Sequence, residues 1–214
     1  MTLRYVFQAL VVALFIAGPG LSGAQSFDEL LKAVTEGDTK TVASFLDRGL
    51  DPNTADPEGK TLLMGAARLG HRELVELLIA RKASVTRRSP QGDTALMFAS
   101  LKGHLGIARL LLEKGAEVAH GGWTPLHYAA FEGQAEMLKL LLEKGADKNA
   151  VAPNGYTALM LAARGGHVEA VRALLYEDAD VTIKGQKGET ALGIARERKD
   201  AELVDLLRRA GAVD

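Results

Sequence analysis

GWTPLHYAAFEG, residues 122–133, opens with a threonine ahead of a proline and closes on a glycine, the residue types that start and stop helices. Thr124 predicts an N-cap whose hydroxyl accepts from the first free amides, and Pro125 falls at the first helical position, where no amide hydrogen is missed. A short helix is expected to reach Glu132, with Gly133 taking the left-handed conformation that ends it. A second helix, residues 135–144, carries Met137, Leu138, Leu141 and Leu142 at helical spacing before Gly145 stops it. Residues 147–156, rich in Asn, Pro and Gly, then predict a turn or hairpin.

The same unit returns along the chain. Threonine ahead of a short apolar triplet stands at Thr61, Thr94, Thr124, Thr157 and Thr190, at intervals of 33, 30, 33 and 33 residues. Gly37, Gly70, Gly103, Gly133 and Gly166 keep the same register, and LLEKGA occurs at both 111–116 and 141–146. A fixed period of this size is the mark of a stacked-repeat architecture. The expected fold is an all-α repeat solenoid of helix-turn-helix units joined by hairpin-like fingers, with repeats at about 26–58, 59–91, 92–121, 122–154, 155–187 and 188–214. The first repeat lacks the threonine start and the last has Lys199 in place of the turn glycine, as expected of end repeats that face solvent on one side. The finger between Ala116 and Thr124 is three residues shorter than that between Ala146 and Thr157, which predicts a notch in the row.

These residues resemble the ankyrin repeat, whose pattern begins Gly-x-Thr-Pro-Leu-His-x-Ala-Ala, continues through Gly-His and closes on Leu-Leu-x-x-Gly-Ala. Residues 122–133 match it best, residues 155–167 follow, and the resemblance covers about 26–214. It implies that His71, His104 and His167, each just after a turn glycine, hydrogen-bond that turn, and that His127 is the structural histidine of the Thr-Pro-Leu-His tetrad. It also implies binding of a protein partner through the finger tips and the concave face of the first helices. Carried over by position, the residue before each threonine is Lys60, Asp93, Trp123, Tyr156 or Glu189, and the seventh after it is Arg68, Leu101, Phe131, Arg164 or Glu197. The middle of the array is therefore aromatic and apolar and its ends charged. Trp123, Tyr156, Phe131, Leu101, Arg68 and Arg164, with Tyr128 and Phe98 four residues after their threonines, are the expected partner-binding residues.

The N-terminus reads differently. Arg4, an apolar run over residues 5–17, Gly18-Pro19-Gly20 and the small residues Ser22, Gly23 and Ala24 predict a secretory signal over residues 1–24, cleaved near Gln25. The apolar run is shorter than the roughly 20 residues a membrane-spanning helix needs, so no stable membrane anchor is expected after cleavage. The chain has no cysteine, which closes the lipoprotein route and suits a periplasmic protein of exported bacterial type, retained there or secreted. A net charge of -1 gives nucleic acid nothing to be drawn by, so a nucleic-acid partner is not expected.

A catalytic centre would need a constellation that repetition does not explain. None of the five histidines pairs with another at helical metal-ligand spacing, there is no nucleophile elbow and there is no phosphate-cradling glycine loop. Glu113, Glu143 and Asp147 recur in equivalent places and read as solvated faces. No enzyme activity, metal or cofactor is expected. The expected role is a protein–protein interaction module, monomeric on its own. Two alternatives stand beside it: a small-ligand or enzymatic role at the notch around His120, Gly121 and Gly122, because His120 alone falls outside the histidine pattern, and an inhibitor or secreted effector.

Overall fold

The computed structural model describes residues 23–119 and 121–213. The expected export signal lies almost wholly outside them, as does His120. The described residues form helices and turns, with no strand beyond an isolated bridge between Ala55 and Thr61. They divide into two compact units, one ending at residue 95 and the other beginning at residue 96. The first contains α1 (Gly23–Glu36), α2 (Thr39–Asp47), α3 (Leu62–Leu69) and α4 (Arg72–Ala80), with α1 packed on α2 and α3, and α4 on α2 and α3. The second contains α5 (Ala95–Lys102, whose first residue closes the first unit), α6 (Leu105–Glu113), α7 (Pro125–Phe131), α8 (Ala135–Glu143), α9 (Ala158–Gly165), α10 (Val168–Tyr176), α11 (Ala191–Glu197) and α12 (Ala201–Arg209). Here α7, α9 and α11 pack side by side as one layer, and α8, α10 and α12 as the other.

Each unit follows from its punctuation. The hydroxyls of Thr61, Thr124, Thr157 and Thr190 accept from the amides of Met64, His127, Met160 and Gly193, so one otherwise orphaned donor is satisfied at each first-helix start. Thr94 is buried directly ahead of α5. Helix α7 ends at Phe131 and α8 at Glu143, each within a residue of the expected stop. Lys199, in the place of the turn glycine, adopts the same left-handed backbone with φ 58°, so the turn geometry persists where the residue best suited to it is missing.

Within each unit, successive repeats are joined by a side chain that crosses the turn. The last-turn carbonyl of each first helix has no intrahelical donor. His71 Nε2 donates to Thr35 O at 2.9 Å, Gln134 Nε2 to Leu101 O at 3.4 Å, His167 Nε2 to Phe131 O at 3.0 Å, and Arg198 Nη1 to Arg164 O at 2.8 Å. The turn glycine makes the crossing possible. Gly133 has φ 72°, and a Cβ there would lie 2.5 Å from His167 Cγ, so both the backbone conformation and the imidazole above it exclude a side chain.

The fingers are linked by a second relay. Asp147 Oδ1 accepts from Asn149 N, and Asn149 Oδ1 accepts from Asp180 N at 2.9 Å in the next finger; Asp51, Asn53 and Ser84 repeat this in the first unit. The short finger has Glu117 and Ala119 in the equivalent places, and alanine offers no acceptor to pass on.

Between the layers lies the core of the second unit. Leu138, Leu141, Val171, Leu174, Leu203 and Leu207 are fully buried on the second helices, as are Leu126, Leu159 and Leu192 to within 1% on the first. Leu141→Ala should remove about 2–5 kcal/mol and lower the melting temperature by roughly 5–15 °C. Lys139→Ala, which loses an exposed pair with Glu136, should leave it unchanged; equal melting temperatures for the two variants would contradict this packing. Gly133→Ala and His167→Ala should couple by roughly 0.5–3 kcal/mol in a double-mutant cycle, because removing the imidazole relieves the clash but not the backbone strain. Additive denaturation free energies would show that the ring does not lie over the turn.

Candidate functional site

The residue that starts each first helix also positions the site. His127 is fully buried in α7. Thr124 directs its amide at the ring's Nδ1, at 3.1 Å, and its hydroxyl lies 2.8 Å away; Nε2 is therefore the donor to Ala150 O, 3.0 Å away in the following finger. Trp123 stands edge-on to this fixed ring, with centroids 5.8 Å apart, and edge-on to Tyr128 at 6.0 Å. Such T-shaped pairs hold an aromatic in place without burying it. Trp123 stays half-buried.

Beside it, Leu101, Trp123, Tyr128 and Phe131 line an open cleft of about 300 Å³ in the second unit. Phe131 is 56% exposed, a large apolar ring left toward solvent at the end of α7. The structure thus brings together four of the eight expected partner-binding residues. Tyr156 and Arg164 form a second group one repeat on, the guanidinium carbon 5.7 Å from the phenol ring centre. Arg68 belongs to the first unit, where it is exposed on the last turn of α3.

Phe98 corrects an expectation. It is 7% exposed and belongs to the core of α5 rather than to an open surface. Its equivalents Leu161 and Ile194 are equally buried, so this column packs between repeats, and Tyr128 alone among the aromatics there keeps part of its ring outside. A phenol hydroxyl needs a polar partner or water, which Phe98 does not.

Glu189, not expected at the site, completes it. It is the equivalent of Trp123 and Tyr156 in the sixth repeat. Burial first, and then the Glu189 carboxylate as acceptor and as negative charge, push the Tyr156 phenol above the ordinary tyrosine range. Glu189 in turn is held below the usual carboxylate range by its own backbone amide, and then by the Tyr156 hydroxyl and the Lys187 amide. The positional rule that found Trp123 and Tyr156 also names Glu189; only the emphasis on aromatics passed over it.

Among the described residues no group of three or more His, Cys, Asp or Glu is placed to hold a metal ion. No helix among them is long and apolar enough to cross a membrane. His71 and His167 serve the inter-repeat bonds and His127 the finger; Gln134 and Arg198 perform in their repeats what histidine does elsewhere.

Comparison with known proteins agrees with this geometry. A family model described as ankyrin repeats (3 copies) matches residues 30–121, 91–152 and 149–213. The chain belongs to the ankyrin-repeat family, and ankyrin repeats are generally protein–protein interaction modules. It is similar to the crystal structure of the human ASB11 ankyrin repeat domain, with a TM-score of 0.80 and 26% identity, over 86% of this chain and 84% of that one. It also resembles ankyrin repeat-containing protein P1E11.10 of Schizosaccharomyces pombe, 36% identical over 53 residues, a match spanning 25% of this chain and 26% of that protein's length.

A raised Tyr156 pKa means that any stability this phenol contributes is present below its unfolded value and lost as pH rises through the folded one. The near-ultraviolet phenolate titration of the protein, minus that of Tyr156→Phe, should therefore show Tyr156 ionising above the ordinary tyrosine value. In Glu189→Ala the curve should shift down, but not fully, because burial remains. An unmoved curve would sever Glu189 from the site.

Proposed function

We propose that the chain is a non-catalytic protein-binding module, exported from the cell interior and acting in the periplasm or outside the cell, and that it holds its partner against the first-helix face of the second unit. The observation that carries this reading is the cleft formed by Leu101, Trp123, Tyr128 and Phe131. Aromatic side chains and arginine dominate binding hot spots because they bury much area at small entropic cost, and here an aromatic cluster is followed one repeat on by Tyr156 with Arg164 over its ring. The Trp123 ring is held edge-on by His127 and Tyr128 rather than fully buried, so little ordering of that ring remains to oppose binding. Export is supported by Arg4, the short apolar run, the small residues before Gln25 and the absence of cysteine.

Affinity capture from native envelope extract, run in parallel with the mature protein and the Trp123→Ala/Phe131→Ala double variant, tests both parts. A partner retained only by the unmutated surface, with melting temperatures alike, is the expected outcome. Identical captures would remove the cleft from function. The native protein recovered from the envelope fraction should begin near Gln25; an intact N-terminus would end the export reading.

A further inference from the structure

The two columns that frame the cleft change chemistry from repeat to repeat in a fixed order. In the fourth repeat they present Trp123 and Phe131, both apolar, with Leu101 of the third repeat closing the cleft. In the fifth they present Tyr156 and Arg164, the guanidinium exposed over the ring. In the sixth they present two carboxylates, Glu189 and the exposed Glu197. Apolar, cationic and anionic positions thus succeed one another along a single row.

Resting on the binding-module reading, we propose that the occupant is an extended peptide segment of a partner protein that seats one large apolar side chain in the cleft, sets an acidic residue against Arg164 and a basic residue against Glu197. Packed helices stand roughly 8–10 Å apart, and a chain extended in the polyproline-II form advances about 3.1 Å per residue with three residues per turn, so one repeat corresponds to about three residues and i, i+3 and i+6 share a face. The segment therefore reads apolar at i, acidic near i+3 and basic near i+6, in one chain direction or the other. The cleft volume of about 300 Å³ suits one large apolar side chain, and charge complementarity beyond it selects the segment. A partner of uniform charge meets repulsion at either Arg164 or Glu197.

The test uses fluorescein-labelled ten-residue peptides with leucine or phenylalanine as anchor, glutamate and lysine at the stated spacing, in both directions, beside versions with the two charges exchanged and with the anchor replaced by serine. Anisotropy titration of the mature protein should favour the patterned peptide over its charge-exchanged counterpart by about fivefold or more, a preference that falls in about 0.5 M salt. Glu197→Lys should abolish the preference, because each pattern then meets one attraction and one repulsion, the double variant Arg164→Glu/Glu197→Lys should reverse it, and Phe131→Ala should weaken all anchored peptides while its circular-dichroism melt stays unchanged. Chain-wide, Trp123 is the sole tryptophan, so its emission independently reports occupation of the cleft. Equal binding of both charge patterns, lost in Phe131→Ala, would overturn the charge assignment and leave the module reading standing. Peptide silence together with a cleft-dependent protein capture would overturn the extended-segment reading alone, whereas silence in both assays would overturn the module reading as well. Binding of free indole in place of every peptide would mark a small-molecule cleft and overturn the proposal.

Discussion

One hydrogen bond recurs within both units: a side chain of the second, fourth, fifth and sixth repeats reaches back across a glycine turn to a last carbonyl of the preceding first helix. A helix of seven or eight residues has too few internal bonds to be stable alone, and its C-terminal carbonyls would otherwise be left to solvent. The cross-repeat donor satisfies one of them and fixes the spacing of neighbouring helices in the same contact. The glycine is needed because the donor occupies the space that its Cβ would fill. Cap, turn and inter-repeat bond are thus a single mechanical element, and the leucines of the second helices complete it from the other side.

That element is also the foundation of the proposed binding face. The carbonyls held in this way belong to Leu101, Phe131 and Arg164, the residues whose side chains form one column of that face. The other column, Trp123 and Tyr156, precedes the capping threonines, and Trp123 is steadied by the ring of His127, itself held by Thr124 and by the carbonyl of Ala150. Side chains at both columns are consequently presented from backbone fixed by bonds that do not involve them. Exposed aromatics on a loose backbone would pay an ordering cost on binding that this arrangement has already met during folding.

Much of this was legible in the sequence because the signals are local. Thr124 and Pro125 start a helix, Gly133 and Gly145 stop two, and the spacing of the threonines states the period; the observed helix ends depart from those expectations by a residue. What was not legible depends on partners distant in the chain. Gln134 replaces histidine with a different donor of similar reach, and Arg198 supplies the same bond from the position before the turn, so the residue in the expected column, Asp200, is released to cap α12 instead. Phe98 and Tyr128 occupy the same register and differ by one hydroxyl, yet one is core and the other lines the cleft. Burial in such a column is decided by packing between repeats, which a single repeat's pattern does not contain.

The separation between backbone anchoring and side-chain display explains how a repetitive scaffold carries a non-repetitive face. Leu101, Phe131 and Arg164 are respectively aliphatic, aromatic and cationic, but each accepts the same bond at its carbonyl. Changing such a side chain alters the chemistry of the surface without altering the interaction that holds the repeats together, whereas changing Leu141 does the reverse. Stability and recognition therefore occupy different atoms of the same repeat. His71, His127 and His167, which as isolated side chains suggest catalysis or metal binding, fall on the stability side: each commits a ring nitrogen to a main-chain carbonyl, at Thr35, Ala150 and Phe131 respectively. The selective chemistry we propose lies in the row from Trp123 and Phe131 to Glu189 and Glu197, where equivalent positions carry unlike groups and the repeat ceases to repeat.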